Sequence, residues 1–353
     1  MAKIVGGFGT SHTPLMSIPG NLWETYAQND PRNRELILVP SGERATYDEL
    51  LAAADPRIKD VVNEETFIQR ANNIQKGLDE VQRRFSQVNA DVVVMIGDDQ
   101  SEWFFDDNMP SINVYWGDKV RLIPRVIRPE MNEANKISAL AYGTEERDYP
   151  VDSALGLHLI ESLMEQEFDV SHSHYQKEAY GGTIGPATWY LDMKRGTEPR
   201  PFGLPHAFGF PIARWFDGKS PPIVPISINT CYPPNWINAR RAYALGQAVR
   251  HAIEEWDSDK TVAIACSGGL SHFVVDEDLD RIALKGLSEA NGEILTSLPR
   301  HRLQSATTET LNWVTVAGAM AGTSMERMEV ITYEPCYRTP AGTGCGSACG
   351  VWL

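Results

Sequence analysis

Four short stretches of this sequence carry polar residues of the kinds that hold metals or move protons. They are "GFGTSHTP" with His12, "GDDQSE" with Asp98, Gln100 and Glu102, "CSGGLSHF" with His272, and "SATTETLNW" with Glu309. Two histidines and a glutamate are the donors of the facial triad that leaves cis positions open on non-haem Fe(II). The same residue types also build zinc hydrolase sites, so type alone does not choose between the two chemistries. Each residue also has a plainer role. His12 can be a loop histidine satisfied by backbone. Glu309 can be an acid answering the helix macrodipole, with Thr307 or Thr308 as the cap. His272 can shape a tight turn, and Asp98 and Asp99 can cap the segment that follows them.

All four stretches follow a strand or open a helix beside Gly or Pro. Residues 2–8 read as a first strand. Residues 63–86 read as an amphipathic helix, because Phe67, Ala71, Ile74, Leu78, Val81 and Phe85 recur at steps of four and three. A β-branched strand at 91–97 follows at once and stops at Gly97. Then come a helix in "DSALGLHLIESLMEQEF", strand-like "DVSHSH", a strand in "PPIVPISIN" and a helix in "INARRAYALGQAVRHAIEEW". The strand "KTVAIACSGG", helices at 278–291 and 309–322, and a last strand "MEVITYEP" complete the order. This alternation predicts an α/β fold. It is one domain over 1–353, with a central mixed sheet flanked by helices and long active-site loops. The loops include an excursion at about 18–60 and a loop-rich cover at about 175–205. In an open α/β sheet the C-terminal strand ends converge on the ligand crevice, so the four stretches are expected to meet in one site.

Bulk properties exclude several functions. A chain of 353 residues with 42% hydrophobic content can bury a sizeable core. Its formal charge of −15, without any Lys/Arg block, argues against nucleic-acid binding. No apolar run approaches the roughly eighteen residues that a membrane span needs. The start, "MAKIVGGFGTSH", is too short and Gly-rich for a signal peptide, so a cytoplasmic location is expected. The five cysteines (Cys231, Cys266, Cys336, Cys345 and Cys349) form no CxxC pair. Cys345 and Cys349 sit among Gly, Ser and Ala, which reads as a small-residue turn with reduced thiols.

In order along the chain, "GGFGTSHTP", "ADVVVMIGDDQSEWF", "LPHAFGFPIARWF", "PPIVPISINTCYPP", "RAYALGQAVRHAIEEWDSD", "SGGLSHFVVDEDLD" and "SATTETLNWVTVAGAMAG" resemble the class III extradiol ring-cleaving dioxygenases. This is the superfamily of the protocatechuate 4,5-dioxygenase catalytic subunit. The nearest likeness is to the 3-O-methylgallate dioxygenase type, through the early excursion, a "D-Q-x-E" after the second strand, and the ending "EPCYRTPAGTGCG". The resemblance implies Fe(II), with Mn(II) as a substitute, and cleavage of a catecholic aromatic acid by O2. Gallate, 3-O-methylgallate and protocatechuate are the substrates of that type. It implies that His12 and Glu309 bind the metal, that His272 is the acid/base histidine, and that His206 lies near the substrate. It also implies a homo-oligomer. Trp103 and Arg338 are taken as substrate-binding candidates, and Arg240 and Arg241 as further cations.

The family's second histidine ligand would close an "N-D-H" motif, but this chain has Asp98, Asp99 and Gln100 there. Four explanations stand side by side. Gln100 binds the metal through its amide oxygen. Asp98 or Glu102 substitutes for it, giving one histidine and two carboxylates; side chains alternate on a strand, so Asp98 and Gln100 face one side and Asp99 the other. His172 and His174 in "SHSHY" are recruited. Or the chain is a metal-altered or metal-free relative that binds aromatic acids or catalyses a non-redox hydrolysis or isomerisation.

Overall fold

The computed structural model describes residues 1–105, 108–176, 178–180, 199–201, 203–216 and 220–353. Thirteen strands occur among them. In chain order they are β1 (Lys3–Thr10), β2 (Val92–Asp98), β3 (Ile112–Tyr115), β4 (Lys119–Leu122) and β5 (Arg147–Pro150). There follow β6 (Ser171–Ser173), β7 (Glu178–Tyr180), β8 (Pro199–Pro201) and β9 (Ile223–Ile228). The last are β10 (Thr261–Ser267), β11 (His272–Val274), β12 (Glu329–Tyr337) and β13 (Thr343–Trp352). Nine form one mixed sheet in the order β11-β13-β1-β10-β2-β9-β3-β6, with β12 also pairing β13. The expected α/β fold with a central mixed sheet is therefore present.

The β-branched run of β2 is buried at every position because the sheet is covered on both faces. Side chains alternate along a strand. Val92, Val94 and Ile96 enter one core with the helices Ser153–Glu165, Ala239–Glu255, Glu277–Ser288 and Thr310–Met320. Val93 and Met95 enter the other, against the helices Glu64–Val88 and His206–Trp215. The Glu64–Val88 helix lays down Phe67, Ala71, Ile74, Leu78, Val81 and Phe85, as its spacing predicts, and its N-cap Asn63 accepts from Thr66 N.

The four central strands β1, β10, β2 and β9 run parallel to one another. Their C-terminal ends, Thr10, Ser267, Asp98 and Ile228, thus lie on one edge of the sheet. Gly97 is required at that edge: a Cβ there would come within 2.9 Å of the Phe208 ring.

Two expectations change. The stretch around Cys345 and Cys349 is a strand, not a turn. β13 lies between β1 and β11 and also pairs with β12, and every one of its residues is buried. Its small residues reflect close packing: a Cβ on Gly346 would sit 2.0 Å from Asp280 Oδ2, and one on Gly350 2.6 Å from Met328 Sδ. All five cysteines are buried and free. The excursion at 18–60 is also tied to the body. Its Leu36 and Leu50 pack on Phe273, Val274, Ala306 and Ala341, beside His272 and the turn before Glu309. Most of the expected cover at 175–205 lies outside the described residues. Among the described residues, no helix is long and apolar enough to cross a membrane.

Candidate metal and substrate site

The strand ends deliver the side chains. His12 follows β1 by two residues, and Gln100 follows β2 by two. His272 comes after the turn that leaves β10, and Glu309 closes the 3-10 turn Ser305–Glu309 ahead of the helix Thr310–Met320. All four are buried, as are Asp98, Glu102 and His206. Six of them, His12, Gln100, Glu102, His206, His272 and Glu309, line a cavity of about 1010 Å³, and Asp98 lies behind that lining.

Glu309 is the hub. Its Oε2 lies 3.3 Å from His12 Nε2 and 3.7 Å from His272 Nε2, and accepts a hydrogen bond from Gly269 N at 2.7 Å. Its Oε1 accepts from Gln100 Nε2 at 2.9 Å. A carboxylate only accepts, so the amide must present its NH2 group to Glu309. Gln100 therefore places its nitrogen, not its oxygen, against the carboxylate that the resemblance assigns to the metal.

Asp98 is held differently. Asn312 Nδ2 donates to its Oδ1 at 3.0 Å and to the Ser267 carbonyl at 2.8 Å. Its Oδ2 is buried and has no hydrogen-bond partner among the described residues, and the same is true of His12 Nε2. One donor atom each from His12, Asp98 and His206 falls within 4.8 Å of the others, and all three residues are buried. An unpaired buried polar atom is costly, and two sharing one small space fit a cation. Imidazole nitrogens with carboxylate oxygens are a donor set for a divalent first-row metal.

The histidines are oriented through Nδ1. His272 Nδ1–H donates to the Leu270 carbonyl at 3.0 Å, and His206 Nδ1–H donates to Glu102 Oε2 at 2.8 Å. His12 Nδ1 shares a 2.7 Å hydrogen bond with Ser267 Oγ. In each ring the remaining Nε2 is left for the site. The His272 backbone is fixed by Thr307, whose Oγ1 accepts from His272 N at 2.9 Å and donates to His272 O at 2.8 Å. Gly269 is needed here, since a Cβ would lie 1.8 Å from His272 Cε1.

Electrostatics follow the geometry. Burial pushes the Asp98 carboxyl up, with Glu309 repulsion adding to it. Burial also works to raise Glu309, but His272 and His12 outweigh it and hold that carboxyl low. Burial works to lower His12, and the Glu309 carboxylate overcomes it, so His12 is raised. Burial dominates at His272 and lowers it. Asp99 faces away, as strand alternation predicts. It accepts from the backbone N–H groups of Glu102, Trp103 and Phe104, and burial pushes its carboxyl up to about 7.

The other sequence candidates fall as follows. Glu102 is occupied by His206, whose backbone N and Nδ1 both donate to it, and it lies outside the His12, Asp98 and His206 group. Arg338 lines the cavity but is buried and paired with Asp30 through two hydrogen bonds, of 2.9 and 3.1 Å. Trp103 packs on Tyr115 and is not among the described residues lining the cavity. Arg240 lines a separate, smaller cavity, and Arg241 covers the Phe168 ring. His172 and His174 are not in the cavity lining and pack against Trp116. Sequence reasoning missed Asn312, Ser267, Tyr142 and Arg125. Only Asn312 left a signal, a polar residue three places after Glu309 on an otherwise apolar helix.

A family model described as the catalytic LigB subunit of aromatic ring-opening dioxygenase matches residues 62–343. The chain belongs to that family. The buried donor cluster agrees with a metal-dependent member of that family. Gallate dioxygenase of Pseudomonas putida strain KT2440 is 33% identical over 138 residues, which is 38% of this chain and 34% of that protein. The match thus spans about a third of that relative's length. The family match takes in Asp98, Gln100, His206, His272 and Glu309, while His12 precedes it.

Proposed function

We propose that this LigB-family protein opens the ring of a catecholic aromatic acid by extradiol cleavage with O2. Divalent iron would be held by His12, Glu309 and Asp98, with His206 beside them. The observation that carries this reading is the buried group of His12, Asp98 and His206, one donor atom of each lying within 4.8 Å of the others, in which His12 Nε2 and Asp98 Oδ2 make no hydrogen bond. Iron bound there supplies the Lewis acidity that takes up a vicinal diol and the redox chemistry that joins O2 to the ring.

The protein's own groups handle protons, orientation and water. His272 is neutral near pH 7 because burial lowers it, so its Nε2 can accept a proton from a catechol hydroxyl. The Nδ1 bond to Leu270 holds that tautomer. Once protonated, His272 is stabilised by Glu309 at 3.7 Å and can return the proton to the developing product. Glu102 keeps the His206 ring turned, and Tyr142 packs edge-on against that ring with centroids 5.4 Å apart. The buried floor excludes bulk water from the reacting atoms.

With Asp98 as a ligand the site has one firm histidine and two carboxylates, a harder donor set that also suits Mn(II). The test is O2 uptake by protein loaded anaerobically with Fe(II) or Mn(II), using gallate, 3-O-methylgallate and protocatechuate. Uptake with at least one, together with a ring-opened product, supports the reading. Full metal loading without uptake on any vicinal diol overturns it.

A further inference from the structure

The cavity lining holds five arginines, Arg32, Arg34, Arg125, Arg128 and Arg338, against three carboxylates, Asp30, Glu102 and Glu309. That excess of positive charge contrasts with the net charge of −15 on the whole chain. The carboxylates are already engaged. Asp30 holds Arg338, Glu102 holds His206, and Glu309 belongs to the donor cluster. Arg338 is buried and neutralised by its two hydrogen bonds to Asp30. Arg32, Arg34 and Arg128 are exposed.

Arg125 differs from all of these. Its side chain is 31% exposed, and its guanidinium carbon lies 4.1 Å from the centroid of the Tyr142 ring. The Tyr142 hydroxyl donates to the His12 carbonyl at 3.1 Å. One tyrosine side chain therefore separates Arg125 from the metal-binding candidates. Arg125 Nη2 forms an ion pair with Glu102 Oε1 at 3.7 Å but no hydrogen bond, and both Glu102 oxygens already accept N–H groups of His206. Stacking on Tyr142 sets the guanidinium plane and leaves its N–H edges for a bidentate acceptor.

We infer that Arg125 determines substrate specificity by receiving the carboxylate of a carboxylated catechol. The exposed Arg32 and Arg128 draw such anions to the mouth. This rests on the ring-opening reading above, and it names the residue that would select acids over their decarboxylated counterparts.

The test compares gallate with pyrogallol, which differ only in the carboxylate. In the wild type kcat/KM favours gallate. In Arg125→Met the gallate-to-pyrogallol ratio falls by at least about tenfold, the loss expected when a charged hydrogen bond is removed. Arg125→Lys restores part of the ratio. Arg125→Gln is measured alongside, so that a folding failure of one variant does not decide the result. A ratio that stays at the wild-type value in the variants overturns the inference, because loss of a merely structural contact would slow both substrates alike. A metal-loaded wild type that opens no vicinal diol, 3-O-methylgallate and protocatechuate included, refutes the ring-opening reading instead. Arg125 is then judged by anaerobic binding of protocatechuate against catechol. Loss of the acid preference in Arg125→Met upholds its role, and an equal preference in both proteins, or none in the wild type, overturns it.

Discussion

Gln100 Nε2 donates to Glu309 Oε1 across 2.9 Å, although the two residues are 209 positions apart in the chain. The residue standing where the family resemblance calls for a histidine thus grips the carboxylate at the centre of the site. Asp98, the last residue of β2 and two positions earlier, offers a buried oxygen without a partner. In the proposed site the two side chains take separate roles, in which Asp98 would supply a donor and Gln100 would aim another.

That division predicts different metal affinities for two variants. Gln100→Ala should weaken Fe(II) or Mn(II) binding by about 10- to 100-fold, as loss of an outer hydrogen-bond partner does. Asp98→Ala should exceed that range. Equilibrium metal titration of both variants checks it, and a larger loss in Gln100→Ala than in Asp98→Ala would make the amide the donor.

In the proposed reaction His272 transfers protons and does not bind the metal. His272→Asn should reduce turnover by about 100- to 10,000-fold, the usual weight of a general acid/base group. Bound metal should remain at the wild-type stoichiometry. O2 uptake and metal analysis of the same sample read both, and metal loss in this variant would make His272 a ligand.

Gly269 makes room for the His272 ring, with a virtual Cβ at 1.8 Å from Cε1. Gly269→Ala must move the turn, the ring or both. Overpacking of this kind costs about 1–3 kcal/mol, so the fold should survive while turnover collapses. Thermal melts beside initial rates test this, and full activity would show that the turn yields without consequence.

Asp280 gives the protein a pH-dependent stability. Its carboxylate accepts from Ser271 N, Ser271 Oγ and Tyr333 OH, yet burial pushes it up to about 7. An unfolded aspartate titrates near about 3.9. Between those values the folded protein keeps a proton that the unfolded chain has lost, so this residue makes stability fall as pH rises from about 4 to 7. The slope from one such group is at most about 1.4 kcal/mol per pH unit. Asp280→Asn should flatten it, as denaturant melts at pH 5, 6 and 7 will show. A slope that persists in the variant assigns the effect to other groups.

Much of this was legible in the chain itself. Strand alternation in Val92–Ile96 and the helical stripe from Phe67 to Phe85 are local consequences of two fixed periods, 2.0 and 3.6, so they survive without tertiary information. The positions of His12, His272 and Glu309 beside Gly-marked strand ends were readable for the same reason. β13 was not: Gly, Ser, Ala and Cys look like a turn until neighbouring strands and Asp280 show that nothing larger fits. Nor could the sequence say that Glu102 turns to His206, that Arg338 is spent on Asp30, or that Arg125 stands over Tyr142.

The sequence by itself determined the α/β order, the strand ends that carry the chemistry, and the absence of a histidine after β2. The tertiary structure alone decided what replaces that histidine. Asp98 ends β2 and Gln100 lies two residues beyond it, and only the positions of Asn312 and Glu309, brought in from more than 200 residues away, leave the Asp98 oxygen unpartnered and commit the Gln100 amide.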